Sequence, residues 1–279
     1  MPRLASPPTP VYPCVMSRRF AFMHVPKTAG ISFTTALRGA IEIPGETFGF
    51  DRHQFGSFDG FAQLDELPRS LVRMCASDWP REVGFARGHV TLGTLRAAYP
   101  RHELLTLLRE PRARLVSLWR FWRGQSEADF ASWGAWGERT RAARGPLGRF
   151  LANPLLATQT DNVLVRLLLA PHPLVPPDGF IPPAADRLLL AAARTALAGF
   201  DFVGLVEDRA LEKRLGRFLD RPVRLGRHNV TKPLPVEWKP VLEQEMTPAT
   251  LDLLERRSRL DAELWRGVAA GVKLEGEPP

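Results

Sequence analysis

Lysine is nearly missing from this chain of 279 residues. Its 38 basic side chains are arginines apart from Lys27, Lys213, Lys232, Lys239 and Lys273. A lysine in a turn between a strand and a helix therefore stands out from the compositional background. Cysteine is scarcer still. Cys14 and Cys75 lack metal-ligand spacing, and six scattered histidines form no zinc pattern, so no metal site is expected. With so little cysteine a reducing compartment is the default expectation. No run approaches the roughly 18 uninterrupted apolar residues of a membrane span, so no integral membrane segment is expected. Residues 1–17 carry several prolines and no apolar core, and read as a loose tail, not as a signal peptide.

What is present describes one soluble α/β domain over residues 18–270, with a second short tail at 271–279. Apolar content of 44% and charged content of 24% suit a globular core of that size. The net charge of +8 favours an anionic ligand. Most arginines are spread along the chain and read as solvated surface. The pattern predicts strands at 20–25, 83–87, 102–108 and 201–206. Helices are expected at 32–42, 61–73, 91–98, 111–122, 147–152, 160–169, 184–198, 208–219 and 248–268. Strands alternating with helices imply a central parallel sheet flanked by helices on both faces. Residues 124–146, rich in Gly, Ser, Trp and charge, read as an irregular insertion over the acceptor side of a site.

Two segments carry chemistry. The apolar run Phe20–Val25 passes directly into Pro26-Lys27-Thr28-Ala29-Gly30-Ile31-Ser32, and a helical pattern follows. Backbone N–H groups at a helix start point at an anion, and a lysine adds a full charge. The nucleotide-triphosphatase loop needs Gly, four residues, then Gly-Lys-Ser/Thr, and here Lys27 precedes the only Gly. The second segment is Arg109-Glu110-Pro111-Arg112-Ala113-Arg114-Leu115-Val116-Ser117-Leu118-Trp119. Arg109 closes a predicted strand, where ligands of open α/β sheets bind, and Ser117 lies about two turns into the next helix. A guanidinium makes charge-assisted, often bidentate, bonds to phosphate oxygens. Arg114 supports the site or pairs with an acid, while Arg112 and Arg120 read as exposed surface.

The first segment resembles the 5′-phosphosulfate loop of sulfotransferases that use 3′-phosphoadenylyl sulfate (PAPS). It looks most like that of the carbohydrate sulfotransferases and their bacterial relatives. The second resembles the family's 3′-phosphate signature, Arg-x-Pro-x-x-Arg-x-x-Ser followed by an aromatic. The resemblance implies a P-loop-like three-layer fold and transfer of a sulfuryl group to an acceptor hydroxyl. It implies that Lys27, Thr28, Ala29, Gly30, Ile31 and Ser32 hold the 5′-phosphosulfate. Ile31 stands where that branch has Thr or Gly, which removes one hydroxyl. Arg109 and Ser117 would hold the 3′-phosphate, 3′,5′-ADP would be the product, and no metal would be needed. Golgi members carry an N-terminal anchor that this sequence does not show, which suggests a cytoplasmic bacterial enzyme. Weaker matches run through Asp161-Asn162 with Arg166, Gly204-Leu205-Val206-Glu207, the basic loop Arg227–Lys232, and Asp261-Ala262-Glu263-Leu264-Trp265.

Between the two segments lies Arg87-Gly88-His89-Val90, and the resembled branch has a histidine near the acceptor hydroxyl here. An imidazole with pKa about 6.5 suits a general base near neutral pH. Glu46 and Asp51 are the alternative bases, and His24 reads as structural. The expected acceptor is a carbohydrate or glycolipid, with a small natural product or tyrosyl side chain left open. Trp133 and Trp136 are candidate sugar platforms, while Trp119 and Trp122 read as core. Two rival readings remain: a nucleotide-dependent kinase needing Mg²⁺, and a basic nucleic-acid-binding protein. No recognition helix supports the latter, so no nucleic-acid partner is expected. The oligomeric state is not legible.

Overall fold

Six parallel strands in the order β3-β2-β4-β1-β5-β6 form the centre of the computed structural model, which describes residues 18–226, 234 and 238–272. The tail 1–17, residues 273–279 and the basic loop Arg227–Lys232 lie outside the described residues. The elements run β1 (Phe20–Met23), α1 (Gly30–Ala40), β2 (Glu46–Asp51), α2 (Glu66–Leu71), β3 (Val72–Arg73), β4 (Phe85–His89) and α3 (Leu92–Ala98). Next come β5 (Glu103–Leu108), α4 (Pro111–Arg123), α5 (Glu127–Ser132), α6 (Gly134–Thr140), α7 (Leu147–Leu151), α8 (Ala157–Thr160) and α9 (Val163–Leu169). The chain ends with α10 (Asp186–Ala198), β6 (Phe202–Leu205), α11 (Leu211–Leu219), α12 (Leu242–Glu245) and α13 (Pro248–Ala269). The three-layer α/β expectation is met.

Burial explains why these segments are strands and why they are central. Every residue of β1 is buried, and its neighbours β4 and β5 are mostly buried, as a sheet covered on both faces requires. One face carries Phe20, Phe22 and Phe85 against Phe33 and Leu37 of α1 and Leu215 of α11. On the other face Ala21, Met23 and Leu104 pack against α3, α9, α10 and α13. Burying a side chain of this size contributes about 2 kcal/mol, so each layer is strongly tied to the sheet. Several elements depart from expectation. Neither β2 nor β3 was expected, the helix expected at 61–73 gives way to a 3-10 turn, the shorter α2 and β3, and residues 124–146 are helical (α5 and α6), not irregular.

The weaker sequence matches are clamps on this frame. Asp161 is buried, accepts from Arg166 at 2.9 Å and from the Ile181 N–H. Asn162 accepts the Leu260 N–H of α13, and Asp261 accepts the N–H groups of Leu164 and Val165 at the start of α9. Glu207, just past β6, accepts from the Glu110 N–H at 2.9 Å and from the Trp265 indole at 3.3 Å. Glu110 then caps α4 by accepting the Ala113 N–H at 2.7 Å, with Pro111 at the first helical position. The start of α4, and hence Arg109, is fixed by the end of β6.

Candidate functional site

Strand order decides what meets what at the carboxyl edge of the sheet. β4 lies between β2 and β1, and β1 between β4 and β5, so Phe50, His89, His24 and Arg109 come side by side. They line one cavity of about 900 Å³. That volume is near the top of the roughly 300–1,000 Å³ range of ligand clefts, enough for two reactants together.

The anion-side wall begins at the turn after β1. Lys27 (φ 69°) and Ala29 (φ 59°) are both left-handed, an uncommon state for residues with a Cβ. These two residues flank Thr28 in a tight turn that leads directly into α1, and the first N–H groups of a helix favour an anion. The first intrahelical bond of α1 runs from the Phe33 N–H to the Ala29 carbonyl, so the N–H groups of Gly30 and Ile31 have no acceptor within the helix. Ala29, Gly30 and Ile31 face the cavity. Gly30 is required there, because a Cβ would lie 2.1 Å from the His24 ring. The Thr28 hydroxyl donates to the Val25 carbonyl at 2.8 Å and braces the turn from inside. Thr28 and Ser32 are buried and are not among the residues lining the cavity. What the turn offers is backbone and Lys27.

The Lys27 ammonium lies 3.9 Å from the centre of the Phe121 ring. Burial, and after it the charge of Arg109, pushes its pKa down to about 8, so it stays mainly charged at neutral pH. Arg109 donates to the Lys27 carbonyl at 3.3 Å, which locks the second sequence segment to the first. Ser117, Arg120 and Phe121 share one face of α4 and all line the cavity. Arg112 instead pairs with Glu110 and Glu255 outside it. Arg114 is buried behind Arg109, where burial lowers it to about 10 and the charge of Asp261 works the other way. It supports the wall without entering the cavity.

His89 closes the other side. Its Nδ1 is 2.6 Å from the His24 carbonyl, and since a carbonyl only accepts, Nδ1 carries the proton and Nε2 the lone pair. Burial, reinforced by the charges of Lys27 and Arg87, pushes its pKa down to about 4 although the carbonyl bond opposes this. The ring is therefore neutral near pH 7, with one defined basic nitrogen. The close packing that positions it needs glycine at 88, where a Cβ would come within 1.9 Å of the Gly49 carbonyl oxygen. His24 stacks on Phe22 and meets His89 at 4.5 Å between ring centres, and burial holds it well below its usual pKa. It lines the cavity, a position that the reading of His24 as structural did not anticipate.

The alternative bases are elsewhere. Glu46 opens β2 at the opposite edge and is ion-paired with Arg38 and Arg87. Asp51 is buried and accepts from the His53 ring and N–H and from Thr91. Burial works against its charge, but those bonds, led by the His53 ring, outweigh it and hold the carboxyl at about 2. Its folded pKa lies below the unfolded value of 3.8, so the stabilisation is complete above pH 4 and is lost as pH falls toward 2. Denaturant titrations should lose about 2 kcal/mol across that window, and Asp51→Asn should flatten the loss.

No Asp or Glu is among the described residues lining the cavity. Its charged groups are Lys27, Arg109 and Arg120, and its candidate bases are the two imidazoles. The positive charge of these described groups favours an anion. Among the described residues no group of three or more His, Cys, Asp or Glu could hold a metal ion, and no helix is long and apolar enough to cross a membrane. Beyond the expected residues the site includes Arg120, Phe121, Gln54 and Gln159. The helical spacing 113, 116, 117, 120, 121 is a sequence signal for the first two, whereas the glutamines arise in loops and short helices with no such signal. Comparison with protein-family models and with curated proteins finds no match to this chain.

Proposed function

We propose that this protein transfers a sulfuryl group from PAPS to an acceptor hydroxyl by in-line displacement. The observation that carries this reading is the convergence of the Lys27 turn, the Arg109–Ser117 pair and a fixed-tautomer His89 on one cavity with no carboxylate among its described lining residues. The turn and Lys27 bind the 5′-phosphosulfate, while Arg109 and Ser117 bind the 3′-phosphate. The acceptor oxygen attacks sulfur, and the bond from sulfur to the bridging oxygen of the 5′-phosphate breaks. That oxygen leaves with the electron pair as part of 3′,5′-ADP. His89 Nε2 takes the acceptor proton, and Lys27 neutralises the charge growing on the bridging oxygen. Alignment and preorganised charge do most of the work, as in phosphoryl transfer.

Calorimetry with 3′,5′-ADP, 5′-AMP and ATP tests the reading. The 3′-phosphorylated nucleotide should bind most tightly, with or without a chelator. ATP binding most tightly and only with Mg²⁺ would favour the kinase and defeat the proposal. Arg109→Ala should weaken 3′,5′-ADP by tenfold to a hundredfold and leave 5′-AMP nearly unchanged, since a charged hydrogen bond contributes roughly 1.5–3 kcal/mol. An equal loss for both nucleotides would move Arg109 away from the 3′-phosphate.

A further inference from the structure

The cavity has two unlike halves, divided by His89. Toward β1 and β5 it is cationic. Toward β2, β3, α2 and α6 its wall is Phe50, Phe55, Leu64, Val72, Trp133 and Trp136. The polar side chains on this side are Gln54 and Gln159, and the Gln159 amide already donates to the Gln54 carbonyl at 2.7 Å. The aromatic rings are held edge to face. Trp136 meets Phe55 at 4.9 Å and 72°, and Phe50 meets Phe55 at 6.4 Å and 82°. Phe50 also stacks against the His89 ring, with centres 5.5 Å apart and planes 28° from parallel. Trp136 is 8% exposed and packed on two phenylalanines, so it presents no open face for a sugar ring.

We infer that the acceptor is an uncharged aromatic molecule, reacting through a phenolic hydroxyl with its ring system seated in this aromatic half. The inference rests on the transfer reaction proposed above and departs from the sugar expected from sequence. A sugar brings a hydroxyl on nearly every carbon, and each one buried here without a partner counts against binding. An aryl ring needs none of those partners and gains edge-to-face contacts from the wall. The hydroxyl itself points to the same class. A phenol titrates near 10, as tyrosine does, and gives up its proton far more readily than an alcohol. A base pushed down to about 4 is better matched to that proton than to one on a sugar.

The probes are 2-naphthol and lactose, each titrated calorimetrically into the protein with and without 3′,5′-ADP, and each assayed for transfer from PAPS. 2-Naphthol should bind and be sulfated, with kcat/KM at least a hundredfold above that for lactose. Trp133→Ala and Val72→Asn, both at half-buried positions, should each weaken 2-naphthol at least tenfold and leave 3′,5′-ADP affinity unchanged. Faster transfer to lactose, or 2-naphthol affinity indifferent to both substitutions, would overturn the inference. If 3′,5′-ADP binds and 2-naphthol does not, the acceptor class is wrong and the nucleotide reading stands. If 2-naphthol binds with the stated dependence and 3′,5′-ADP does not, the reverse holds.

Discussion

Lys27→Ala should lower turnover from PAPS by at least a hundredfold while the melting temperature moves by only a few degrees. The side chain lies against the Phe121 ring, beside the Arg109 charge and near the His24 and His89 imidazoles, so its loss removes a buried cation and breaks no described ion pair. Burial strengthens what that cation does for an oxygen gaining charge, because little water remains to screen it. Removing one preorganised electrostatic partner commonly costs about 3 kcal/mol of barrier, the size of the stated effect. The loss should fall mainly on kcat. On the proposed mechanism Lys27 also attracts the ground-state phosphosulfate, but its full interaction would develop only as the bridging oxygen departs. Near-normal kcat in the alanine variant would refute the role. Lys27→Arg should move the alkaline limb of the pH profile upward, since the buried Lys27, lowered to about 8, sets that limb.

His89→Asn should lower kcat by roughly a hundredfold to ten-thousandfold, the usual range for a lost general base. Asparagine is chosen because its amide can keep a donor near the His24 carbonyl while supplying no basic nitrogen. The signs of the pH dependence are fixed by the two groups. His89 must be neutral, so kcat/KM of the native protein rises with pH through about 4, and Lys27 must be charged, so it falls through about 8. The acid limb should vanish in His89→Asn and the alkaline limb should remain. Retention of both limbs would assign proton removal to another group, of which His24 is the nearest. The acid limb overlaps the window in which Asp51 ceases to stabilise the fold, so rates there are read only where the protein stays folded.

Sequence made the anion-side wall legible because each of its motifs straddles a junction from strand to helix. An apolar run, a turn residue and a helical period occur together there, and each limits the others. The helix expected at 111–122, with proline at its first position, has the start observed: α4 begins at Pro111. The aromatic half was not legible, for two physical reasons. β2 contains Gly49, and a glycine inside a strand weakens its pattern. In the sheet it is a close crossing, since a Cβ there would lie 3.0 Å from the Leu71 carbonyl and 3.2 Å from Trp79. α5 and α6 are six and seven residues long, too short for a 3.6-residue period to emerge from a segment crowded with Gly and Trp. Trp122 shows a further limit of pattern: it packs in the core and also borders the cavity, so a single assignment to either misses half of its surroundings.

The bond from the His89 ring to the His24 carbonyl ties an element on one strand to the backbone of its neighbour. Only Val25 and Pro26 separate that carbonyl from the left-handed turn at Lys27. Proline stiffens this span, so the turn and the imidazole are tied through one short stretch of backbone. On the proposed reading, the turn that would hold the donor and the nitrogen that would take the acceptor proton therefore share a single piece of frame.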